Sequence, residues 1–238
     1  TPSFADGSIA IADLDIDGGT DIGADIVDAD LFIVDDGAGG TNRKVAASRI
    51  KSYAGGGRAT LIDTITLSNS STAVFDSSDI TSTFDNYLIT YENVITGSGN
   101  VGFLMRISNN NGSSYEGDSS GDYRRISFNG IENESSNQFT SRYSTSTSQI
   151  CLTGNYSNNG NDAALKIDGH VECFSLNSSS YKKFLSHSLF GGTDDPPKLV
   201  FEQAVHIADH TQSAINNIKI FASSGTMASG TIKLFGLK

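Results

Sequence analysis

From Thr60 onward, apolar and polar residues alternate with a two-residue period almost throughout, and this period confines the chain to extended strands more firmly than any other feature. In NVGFLMRIS, Val101, Phe103, Met105 and Ile107 fall on one side, opposed by Gly102, Leu104, Arg106 and Ser108. In ALKIDGHVEC, Leu165, Ile167, Val171 and Cys173 oppose Lys166, Asp168, His170 and Glu172. In LVFEQAVHI, Leu199, Phe201, Val205 and Ile207 share a side and are the expected core face. One-sided burial of this kind belongs to antiparallel sheets. No helical period separates the strands, and Asn/Gly/Ser loops are expected near 109–122, 129–137, 153–161 and 191–197. The expected fold is therefore mainly β: an antiparallel jelly-roll-like sandwich, preceded by a small module of strands and one short helix.

A chain of 238 residues is long enough for a sizeable core. Charged residues are sparse at 18%, while the abundant Asn, Gly, Ser and Thr suit turns better than helices. A net charge of −11 argues against a nucleic-acid surface, which needs Lys and Arg to displace phosphate counterions. Cys151 and Cys173 are too few for a disulfide framework and are expected to be free and buried. No apolar run reaches the ~20 residues that span a bilayer, so no membrane-embedded segment is expected. No signal-peptide pattern is visible, and the Asn-x-Ser triplets at Asn69, Asn111, Asn133, Asn155 and Asn177 read as loop sequence rather than glycan sites.

Residues 1–57 differ from the rest. They hold ten aspartates against four basic residues, more than half of the net charge. Short apolar bursts (Ile9 and Ile11, Leu14 and Ile16, Leu31 and Ile33) are divided by glycines. The segment Val45–Tyr53 places Ala46, Ala47, Ile50 and Tyr53 at helical spacing, with Gly55 to end it. Gly55, Gly56 and Gly57 then form the expected hinge between a connecting and oligomerisation module, 1–57, and a β domain, 58–238. The module is too poor in large apolar residues to fold without its neighbour or other copies.

Several motifs bear on chemistry. Gly97-Ser98-Gly99-Asn100-Val101-Gly102 satisfies GxGxxG, but a dinucleotide site needs a helix to follow, and the next residues have a strand period. Asp13, Asp15 and Asp17, with Asp21, repeat the first half of a calcium loop, while its twelfth position is Ala24. These four aspartates are the candidate metal ligands, for calcium, against the plainer reading of a solvated strand face. Of the histidines His170, His187, His206 and His210, the last two have HxxxH spacing but lack the HExxH glutamate, so no zinc site is expected. Neither a nucleophile elbow nor a P-loop is present.

Asp15 to Gly19, Ala29-Asp30-Leu31, Val34 to Gly37, and Thr41 to Lys44 with Ser48-Arg49-Ile50 together carry a family likeness. Tyr87-Leu88-Ile89-Thr90-Tyr91-Glu92-Asn93-Val94 and the closing Ser229 to Gly236 add to it. These segments resemble tail fibres and other receptor-binding-type tail proteins of tailed bacteriophages. The resemblance covers the first quarter well and the rest in patches. It implies a virion location in the tail, a homotrimer, contact with other tail proteins, and a terminal domain that meets a host polysaccharide or outer-membrane component. The alternatives are a depolymerase and a purely structural head-fibre or decoration protein.

Within the β domain, Tyr115, Tyr123, Arg124 and Arg125 combine rings with forked hydrogen-bond donors. They are the candidate receptor-binding residues, with an ordinary solvated loop as the competing reading. If these residues form a surface patch, replacing Tyr123 and Arg125 with Ala should leave the melting temperature unchanged.

Overall fold

A computed structural model describes residues 24–35, 42–53, 59–98, 101–118, 122–133, 136–153, 166–191, 199–209 and 211–238. The chain divides into two compact units, Thr1–Arg58 and Ala59–Lys238.

In the first unit, β1 (Leu31–Asp35) pairs antiparallel with β2 (Asn42–Ala46), and α1 (Ala47–Tyr53) follows directly. The helix begins two residues later than its spacing suggested. Val45 and Ala46 are held in the ladder opposite Phe32 and Leu31, and the Ala47 amide bonds the Asp30 carbonyl at 2.8 Å. Ile26, Val27, Leu31, Ile33, Val34 and Ile50 are all exposed. That fits a module unable to bury its own apolar residues.

The second unit is an antiparallel sandwich. Its strands are β3 (Ala59–Ser70), β4 (Thr72–Phe75), β5 (Asn86–Thr96), β6 (Phe103–Ser108), β7 (Tyr123–Asn133) and β8 (Ser136–Thr147), then β9 (Ile150–Cys151), β10 (Ile167–Phe174), β11 (Lys182–Gly191), β12 (Leu199–Ala208), β13 (Asn217–Ala222) and β14 (Met227–Leu237). Eight strands form one sheet in the order β3-β14-β5-β10-β11-β12-β7-β8, and four form another in the order β4-β13-β6-β9. One core joins them. Ile89, Tyr91, Val171, Ile232 and Leu234 from the large sheet share it with Phe103, Met105, Ile107, Ile218 and Ile220 from the small one. Tyr91 and Phe103 meet edge to face, with centroids 5.2 Å apart. Asn111 takes positive φ at a turn, Asn69 near the end of β3, and Asn93 within β5 where the register against β14 shifts, as their side chains allow.

Where both sheets cover a strand, the alternation reads correctly. Ile167, Val171 and Cys173 are buried in β10. At Gly169 the pattern leaves out a side chain for a reason: a Cβ there would lie 2.2 Å from the His187 carbonyl oxygen and 2.8 Å from the Tyr91 ring. Gly169→Ala is therefore expected to destabilise the domain by ~1–3 kcal/mol, because backbone cannot yield as a flexible side chain does. A fall in the urea midpoint at unchanged slope would register it.

Three expectations are corrected. In β6 both faces are buried, since Leu104 is as enclosed as Met105. The chain after β6 folds back along it, with the Glu116 amide bonding the Ile107 carbonyl at 2.9 Å. The loop expected at 129–137 is mostly hairpin: β7 runs to Asn133 and β8 starts at Ser136. The largest correction concerns β12. Val200, Glu202, Ala204, His206 and Ala208 are its buried face, and Leu199, Phe201 and Val205 are exposed. The polar set can turn inward because Arg125 of β7 forms an ion pair with Glu202 there, beside buried Ser127 and Asn129. The apolar set is left outside.

That outer face extends across three strands in register. Phe201, Gly130 and Phe139 align in one row, Gln203, Phe128 and Ser141 in the next, and Val205, Ile126 and Tyr143 in a third. Phe139 and Tyr143 are 89% and 83% exposed.

Candidate functional site

The residues Tyr115, Tyr123, Arg124 and Arg125 do not converge. A strand alternates its side chains, so the successive residues Tyr123, Arg124 and Arg125 cannot share one face. Tyr123 and Arg125 point inward and Arg124 outward. Tyr123 is fully buried, its hydroxyl donating to the Glu116 carbonyl and accepting from the Ile107 amide, both at 3.2 Å. Burial holds its phenol far above the ordinary range. It offers no ring to a ligand. Arg125 is spent on Glu202, whose side chain has no exposed surface. Arg124 is exposed on the outer face and pairs with Asp209.

Tyr115 belongs to a different cluster, on the outer face of the small sheet. The loop that carries it is tied down by its own polar groups: the Ser114 amide bonds Asn110 Oδ1 at 3.0 Å, and the Tyr115 amide bonds Asp118 Oδ2 at 2.9 Å. The Tyr115 hydroxyl donates to Asn217 Oδ1 of β13 at 2.7 Å, fixing the ring above that strand. Lys219, two residues along on the same face, sets its Nζ 3.8 Å from the ring centroid and 5.5 Å from that of Phe221. Arg106, opposite Lys219 on β6, lies 5.5 Å from the Phe221 ring and forms an ion pair with Asp118. Burial lowers the pKa of Lys219 and raises that of Tyr115.

This arrangement combines two half-exposed rings, a cation resting between them, and a carboxylate fixed by a guanidinium. It suits an anionic, ring-shaped ligand: Lys219 supplies charge and donors, while the Tyr115 and Phe221 rings supply flat apolar surface. Lys219, Phe221 and Arg106 were missed as candidates because they lie some hundred residues from Tyr115 or in core-like strand sequence. Only the pairing of β6 with β13 brings them together.

Two shallow depressions mark the outer face of the large sheet. One, of about 330 Å³, is lined by Arg124, Ile126, Tyr143 and Val205; the other, of about 370 Å³, by Phe128, Phe139 and Phe201. Beside them the His170 and His187 rings stack 5.0 Å apart, and burial, together with the neighbouring His187, lowers the His170 pKa. His206 is buried on the opposite face, where burial and the nearby Arg125 push its pKa down to about 3. Cys151 and Cys173 are free thiols and buried. The GxGxxG segment leads into strand β6. The aspartates Asp13, Asp15, Asp17 and Asp21, the residue His210 and the expected cap Gly55 lie outside the described residues, as do most of the 153–161 and 191–197 segments. No helix among the described residues is long and apolar enough to cross a membrane.

Compared with protein-family models, curated proteins and solved structures, the chain shows no significant match.

Proposed function

We propose that this chain is a tail structural protein of a tailed bacteriophage, working as a homotrimer, whose β domain contacts the host cell surface without cleaving it. Residues 1–57 connect it to other tail proteins. Support for the class comes from the residue likeness in the first quarter and in β5 and β14. Support for surface recognition comes from one observation above all: Tyr115, Lys219 and Phe221 form an outward-facing aromatic and cationic cluster on a chain of net charge −11. On a rigid sheet, such a cluster can hold its geometry while a polymer passes over it. The ligand class it favours is an acidic surface polysaccharide.

Lys219→Ala should weaken binding of the purified protein to host cells by about tenfold or more, the worth of one hydrogen bond to a charged group. Its melting temperature should change little, because a partly exposed cation–π contact contributes only ~1 kcal/mol. Full binding by Lys219→Ala would exclude this cluster. Falling polymer viscosity on incubation would instead mark a depolymerase.

A further inference from the structure

We propose that the outer face formed by β12, β7 and β8 is a docking surface for a second copy of this chain. The proposal deepens the reading of the protein as an oligomer, and on that part of the reading it rests; host binding is a separate matter. Aromatic side chains carry ~150–250 Å² each. At exposures of 59% for Phe128, 89% for Phe139, 83% for Tyr143 and 43% for Phe201, the four rings alone therefore present on the order of 500 Å². That already reaches the ~300–600 Å² of the largest apolar patch on a typical monomer. Ile126 and Val205, at 56% and 45%, extend it toward the ~800 Å² per partner of a standard interface.

The face also indicates its own occupant. Its three registered rows carry no charged residue, on a molecule whose net charge of −11 would otherwise keep copies apart. Among the other described residues of the β domain, exposed Leu189 and Leu199 adjoin this face, with Leu189 opposite Phe201, while Leu61 and Val74 lie on β3 and β4. Copies of this face can pack together around the threefold axis of the proposed homotrimer, an arrangement that cyclic symmetry permits. The interior of the same strands points the same way. With Glu202, Arg125, His206 and Asn129 facing inward, the apolar residues Ile126, Phe128, Phe201 and Val205 of β7 and β12 are left exposed among the described residues.

The test is light scattering on the full chain at micromolar concentration. The unaltered protein should have about three times the single-chain mass of 25.1 kDa. The triple variant Phe128→Thr, Phe201→Thr, Val205→Thr, which keeps β-branched strand formers, should fall to 25.1 kDa with an unchanged far-UV spectrum. Leu61→Thr, away from the face, should keep the parent mass. A triple variant that keeps the parent mass would overturn this surface but leave oligomerisation and host binding standing. A monomeric parent would overturn the surface and the oligomer together, again without touching host binding. Should the triple variant fail to fold, Val205→Cys decides. In the folded chain it should resist maleimide and react only after urea unfolding, whereas equal rates in both states would refute the docking.

Discussion

Replacing Arg125 with alanine is expected to lower the unfolding free energy by about 3–5 kcal/mol, because it removes the guanidinium that pairs with the buried Glu202 carboxylate. Arg125 Nη2 contacts Glu202 Oε1, and the two side chains are 11% and 0% exposed. Little water can reach Glu202 to replace the lost contact. The expected loss comes mainly from the stranded charge and not from the worth of the pair itself. A double variant, Arg125→Met with Glu202→Leu, should therefore recover most of the stability, as apolar replacements of buried pairs commonly do. Urea unfolding of the two single variants and the double one completes the cycle. Arg124→Ala is the internal control. Its side chain is 62% exposed and pairs at the surface with Asp209, so the cost should stay below ~1 kcal/mol.

The second large effect concerns Tyr123. Tyr123→Ala should cost about 3–5 kcal/mol, the range for removing a buried aromatic ring. Tyr123→Phe should cost ~1–3 kcal/mol, because the Ile107 amide and the Glu116 carbonyl lose the hydroxyl that joins them. The difference between the two variants separates ring packing from hydrogen bonding. Unfolding midpoints within error of the parent for both would show that Tyr123 is not in the core. These two residues invert the expectation that Tyr123 and Arg125 lie on a surface patch whose replacement leaves the melting temperature unchanged.

The reason for that inversion also shows how far the sequence can be read. Two-residue alternation identified the strands and their antiparallel class, and in β10 it identified the buried set, because Ile167, Val171 and Cys173 face the second sheet. Alternation gives a period but not a sign. In β12 both alternate sets are regular, and size alone favoured Leu199, Phe201 and Val205 for the interior. The deciding fact was a charge partner on β7, which local sequence does not reveal. The same holds for β6, whose second face is covered by the loop that follows it. At Tyr123-Arg124-Arg125, by contrast, the sequence carried a warning: three successive residues of a strand cannot form one patch. The Tyr115 cluster was half legible, since its ring was chosen from sequence while Lys219 and Phe221 required the β6–β13 pairing.

The most direct measurement of the proposed function is adsorption competition. Host cells preincubated with the purified protein are challenged with phage, and unadsorbed particles are counted. The account predicts saturable cell binding and a dose-dependent rise in unadsorbed phage, both weakened by Lys219→Ala. Absence of cell binding, with adsorption unchanged at the highest protein concentration, would contradict it.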